Sequence, residues 1–90
     1  MPSLQPVVLD ACVLIPSRLR DFLLSLAAEG VYRPIWNTVI MAELEYHERE
    51  RHHNFGLPDT DADQIARNLT AQMNAAFNDS LTEGWEDDAF

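Results

Sequence analysis

Two short apolar runs, Val7–Leu9 and Val31–Ile35, stand on either side of one amphipathic stretch, and few folds accommodate that order. Strand, helix and strand within about 30 residues form a βαβ unit, the building block of a parallel sheet. The first run is too short for a helix and is bounded by Pro6 and Asp10. It is expected to be a buried parallel strand over Gln5–Leu9, with Pro6 near its beginning, where a missing N–H is tolerated. Val13, Leu14 and Ile15 extend the apolar character to Pro16 and are expected to turn into the first helix.

That helix runs from a cap at Ser17 to about Glu29, where Gly30 ends it. Leu19, Phe22, Leu23, Leu26 and Ala27 follow the i, i+3, i+4, i+7, i+8 spacing of one buried stripe, and Arg18, Arg20 and Asp21 fall outside it. After the second strand, Asn37 or Thr38 caps a second helix that extends to about His53, with Trp36 placed to staple against Met41. Asn54, Gly56 and Pro58 break it. A third helix begins near Asp59 or Thr60, with acidic residues where the helix dipole favours them. Its apolar face is Ala62, Ile65, Ala66, Leu69, Met73 and Ala76. Asn78 and Asp79 make a turn, and a third strand is expected over Ser80–Trp85.

Ninety residues hold one small domain, expected to span 1–90. Fifteen acidic residues stand against six basic ones, all arginine, for a net charge of -9. Such a chain repels polyanions and is compatible with divalent cations or a basic partner protein. One cysteine, Cys12, excludes an internal disulfide framework and points to a reducing compartment. Neither a signal peptide nor a membrane-spanning stretch is evident, so a cytoplasmic protein is expected. Cys12 has no partner base beside it and reads as a small buried packing residue.

Asp10 closes the first strand, and in open parallel α/β sheets ligands bind beyond the carboxyl ends of strands. A carboxylate there serves either a ligand or a local turn or helix cap. Glu43 shares the second helix with Ile40, Leu44 and His47 at i, i+3, i+4 and i+7 spacing, on or beside the core-facing stripe. A carboxylate facing the interior needs compensation, which a hard divalent cation shared with Asp10 would supply. The other reading is a stripe-edge glutamate that reaches solvent or an arginine. His47, His52 and His53 offer a weaker transition-metal option, Glu43 and His47 having i, i+4 ligand spacing. The Glu48-Arg49-Glu50-Arg51 run reads as an exposed, salt-bridged face. Arg18, Arg20 and Arg33 are available to phosphate oxygens.

The segments VVLDACVLIP, SRLRDFLLSLAAEGVYRP and IWNTVIMAELE, in this order, resemble the opening of bacterial PIN-domain proteins. They look closest to the VapC-like toxin branch, whose first strand ends in Asp followed by a small residue and Cys, Ser or Asn. A looser likeness continues through IARNLTAQMNAAFNDSLTEGWED. The resemblance implies a three-layer α/β/α fold with a short parallel sheet in the order β-α-β-α-α-β. It also implies a Mg²⁺- or Mn²⁺-dependent endoribonuclease in which Asp10 and Glu43 are catalytic and metal-binding. Family members usually continue through a further helix and strand bearing a third acidic position. The chain is therefore expected to be a PIN-like domain lacking its usual C-terminal portion, and no family role falls on Asp87 or Asp88. In the family's sheet a later strand flanks the first one, and without it the Val7–Leu9 strand has an open edge that invites pairing.

Two functions follow as expectations. One is a metal-dependent RNA hydrolase with RNA as substrate. The other is a non-catalytic truncated PIN-like protein that works through protein contacts, with a cognate antitoxin, a second copy or another chain that completes the sheet. A small helical regulator of unrelated fold is a third option, against which the Val7–Leu9 run and the missing basic recognition helix count.

Overall fold

The computed structural model describes residues 4–82. Strands β1 (Pro6–Val8) and β2 (Arg33–Ile35) pair in parallel, Pro6, Val7 and Val8 lying opposite Arg33, Pro34 and Ile35. Helices α1 (Ala11–Leu14) and α2 (Ser17–Ala28) form the crossover, and α3 (Thr38–Asn54) and α4 (Asp59–Ala76) follow. The fold is thus mixed α/β, mostly helical, with a short parallel sheet. Beyond α4, Leu81 bridges in parallel to Trp36. Trp36 N donates to the Ser80 carbonyl at 3.0 Å, and Thr82 N donates to the Trp36 carbonyl at 2.9 Å. The expected third strand is represented by this bridge, and Glu83–Trp85 lie outside the described residues.

The expectation that β1 is buried does not hold. Val7 is 38% exposed and Val8 50%. Gln5 O accepts from Arg33 N and Leu9 N donates to Ile35 O, each at 2.9 Å. Successive residues of a strand point their backbone groups to opposite edges, so Val7 faces β2 while Pro6 and Val8 face away. On that outer edge no described strand pairs with β1. Pro6 therefore sits where its missing N–H costs no ladder bond.

Between the strands, α1 replaces the expected turn. Asp10 caps it, Oδ1 accepting from Ala11 N at 2.7 Å. Ala11 and Leu14 are its buried residues, which turns Cys12 outward. The reading of Cys12 as buried packing is corrected accordingly. In α2 the buried face also differs from the expected stripe. Leu19 and Phe22 are exposed, whereas Arg20 and Ala27 are buried with Leu23 and Leu24 half-buried. The face is rotated because Arg20 turns inward to an acceptor on α3, which the apolar pattern does not contain. Ser17 makes no side-chain cap bond, and Pro16 occupies the cap position.

Both long helices before α4 stop the same way. Gly30 (φ 81°) and Gly56 (φ 96°) take the left-handed conformation that other residues resist. Gly30 N donates to Ala27 O and Val31 N to Leu26 O, while Gly56 N donates to His53 O and Leu57 N to His52 O. Each is the paired 5→2 and 6→1 closure of a Schellman motif.

Helix α3 starts at Asn37, whose Oδ1 accepts from Ile40 N at 2.8 Å. Trp36 and Met41, the expected staple pair, lie in one core cluster with Leu9, Ala11, Leu14, Ile40, Leu44 and Met73. Trp36 is fully buried, and its Nε1 donates to Asn74 Oδ1 at 2.7 Å. Helices α3 and α4 form the main packing interface. Ala62, Ala66, Thr70 and Met73 are the buried residues of α4, so Ile65 and Ala76 of the expected face are exposed instead. Thr70 earns its inward position through its hydroxyl, which donates to Glu45 Oε2 at 2.5 Å. At the rim, Arg49 Nε and Arg67 Nε meet the two oxygens of Asp63 at 3.1 and 3.0 Å.

Candidate functional site

Asp10 stands one residue beyond buried Leu9, at the carboxyl end of β1. Its side chain is exposed. One oxygen is held by Ala11 N, and the other accepts no hydrogen bond from the described residues. The cap and ligand readings are therefore compatible: the backbone N–H orients the carboxylate and leaves one oxygen outward.

Glu43 is exposed on α3. The buried row of that helix is Ile40, Met41, Leu44 and Glu48, which leaves Glu43 and His47 beside it. No hydrogen bond or ion pair joins Glu43 to another described residue. Its charge consequently keeps its water and needs no burial compensation. Both carboxylates border one core cluster, since Leu9 and Ala11 flank Asp10 while Met41 and Leu44 lie in the turn that holds Glu43. Among the described residues no three His, Cys, Asp or Glu side chains gather as metal donors.

The histidines are dispersed. His47 packs edge-on to Tyr46, with ring centroids 5.4 Å apart. His53 Nδ1 lies 2.8 Å from Asp59 Oδ1, and His52 Nε2 lies 3.4 Å from Glu48 Oε2. Of the arginines read as available to phosphate, Arg18 and Arg33 are exposed and Arg20 is buried. Burial pushes the pKa of the Tyr32 phenol up. The hydroxyl donates to the Leu23 carbonyl at 2.6 Å, tying the residue before β2 to α2.

A second polar centre lies between α2, α3 and α4, and the sequence did not announce it. Glu48 is 4% exposed, which corrects the reading of the Glu48–Arg51 run as a wholly exposed face. Arg20 Nη1 meets Glu48 Oε1 at 2.7 Å and also donates to the Leu14 carbonyl at 3.1 Å. Arg51 Nη2 lies 3.4 Å from Glu48 Oε2. The signal present in the sequence is spacing alone: Ile40, Leu44 and Glu48 continue one i, i+4 row into the charged run.

Comparison of the chain with family models, curated proteins and solved structures finds no match. Among the described residues no helix is long and apolar enough to cross a membrane.

Proposed function

We propose that the chain is a PIN-like, metal-dependent endoribonuclease, with Asp10 and Glu43 as its metal-binding carboxylates. The observation that carries this reading is Asp10, a solvent-facing carboxylate oriented by a backbone N–H at the carboxyl end of a parallel strand. The donor chemistry fits a hard divalent ion. Mg²⁺ is commonly held by one or two carboxylates together with water and substrate phosphate, and both side chains have oxygens open to solvent. A bound Mg²⁺ or Mn²⁺ lowers the pKa of coordinated water and neutralises phosphate charge. It also answers the repulsion expected between RNA and a chain of net charge -9. The remaining work falls to the chain: Asp10 and Glu43 supply oxygen donors, and Ala11 N holds Asp10 in one orientation. The three-layer α/β/α arrangement belongs to the same proposal.

The test is cleavage of single-stranded RNA by the purified chain in Mg²⁺ or Mn²⁺, compared with Asp10→Asn and Glu43→Gln. Each variant is expected to lose at least about 100-fold in rate, with its thermal midpoint nearly unchanged because both side chains are exposed. Wild-type cleavage that persists in both variants, or in chelator, defeats the reading.

The outer edge of β1 favours a second reading, in which the chain acts by pairing with another polypeptide, an antitoxin-type partner or a second copy. Val8 presents both backbone hydrogen-bonding groups on that edge, and Leu4, Val7 and Val8 are exposed beside it.

A further inference from the structure

The cleft between α2, α3 and α4 has a volume of about 290 Å³ and is lined by Arg20, Arg51, His52, Asn68 and Gln72 around Glu48. Two guanidinium groups face one carboxylate, so one positive charge is in excess, in a chain of net charge -9. Arg20 is 7% exposed, and both of its hydrogen bonds leave from Nη1. Nε and Nη2, the edge with which arginine grips an oxyanion in bidentate fashion, donate to no described residue. A buried guanidinium with unused donors is costly unless a polar ligand meets them. Among the described residues the Arg51 side chain meets Glu48 alone, at 3.4 Å, and the Gln72 amide bonds to none.

We propose that this cleft binds a phosphate group. Glu48 then acts as a positioning residue: it anchors Arg20 through Nη1 and holds Arg51 and His52 at its second oxygen. Donor-bearing side chains line the cleft from three helices, Arg20 on α2, Arg51 and His52 on α3 and Gln72 on α4, more than the two coplanar oxygens of a carboxylate can serve. A tetrahedral oxyanion has acceptors for all of them. Ile65 and Leu69 line the remainder of the cleft and offer apolar contact to whatever carries the phosphate. The site goes beyond the carboxylate pair and does not rest on it. Glu43 and Glu48 are five residues apart on one helix, about 140° around its axis, one exposed and one buried.

The test is a titration of the full chain with sodium phosphate at constant ionic strength, without added metal, read by NMR at the Arg20 Nε–H and the His52 ring. Both signals are expected to shift and saturate with phosphate but not with sodium chloride. Arg51→Gln should weaken binding about tenfold, the loss of one charge-assisted contact, and Gln72→Ala should weaken it less. Arg51 is 44% exposed and Gln72 is exposed, so both variants should fold. Adenosine 5′-monophosphate separates the sources. Binding tighter than phosphate assigns the group to a nucleotide, and equal binding assigns it to the free ion. The proposal is overturned if chloride produces the same shifts, if adenosine binds as well as its monophosphate, or if both variants bind phosphate as the wild type does. Because no metal or RNA takes part, failure here leaves the ribonuclease reading standing, and the converse also holds.

Discussion

In α3 and α4 the buried positions run in helical rows, Ile40, Leu44 and Glu48 on one helix against Ala62, Ala66, Thr70 and Met73 on the other. In β1, by contrast, all three residues are exposed, and among the described residues the strand has one neighbour along one edge. The helical hairpin includes charges within its packed interior and engages them, as Glu48 with Arg20 and Glu45 with Thr70 show. The sheet end leaves both apolar side chains and backbone groups facing outward. Stability is thus concentrated in the helices, while the strand that delivers Asp10 depends on Leu9 and the α1 residues behind it for its anchorage.

The strongest test of that contrast is Trp36→Ala. Trp36 joins β2, α4 and the segment around Leu81, and its loss is expected to cost about 3–5 kcal/mol, read as a lowered urea midpoint. In a domain of this size that is enough to leave much of the population unfolded. If the hairpin survives unchanged, the two regions are more independent than the shared core indicates. Next comes Glu48→Ala, which strands a buried guanidinium and is expected to cost about 3 kcal/mol. Replacing both partners, Arg20→Met with Glu48→Leu, should recover most of that. A double variant no better than the single one would show that Arg20 and Glu48 do not act as a pair. The smallest effect is expected for Val8→Pro, which removes an N–H on the outer edge only. Stability should change by about 1 kcal/mol or less, while any association through β1 should disappear in sedimentation analysis. A large loss of stability would mean that β1 is held from both sides.

The parts legible in the sequence are those governed by local chemistry. The βαβ order, the span of α3, the Asn37 cap and the glycine stops all follow from residues that act on their immediate neighbours. Which face of α2 is buried was not legible, because Arg20 turns inward for a partner on α3, 28 residues away in the chain. Glu48 was hidden for the same reason: a charged run carries no mark of which member has a buried cation waiting. The Val7–Leu9 run correctly signalled a strand but not its cover, since burial depends on what lies beside a strand and not on its own composition. At the candidate site, Asp10 at the strand end could be read from position. The exposure of Glu43 required knowing which side of Leu44 the core occupies.

Trp36 has one further consequence. It closes a loop to Leu81 that contains α3 and α4, whereas β1 meets β2 across the α1–α2 crossover. Long loops are closed late and at an entropic cost, so the order of assembly should be set by local helix growth first. The α3–α4 hairpin, joined through the short turn at Gly56, can collapse as a unit before either side of β2 is occupied. Trp36 then marks the moment at which the hairpin and the sheet become one cooperative structure, and its indole is a built-in reporter of that step.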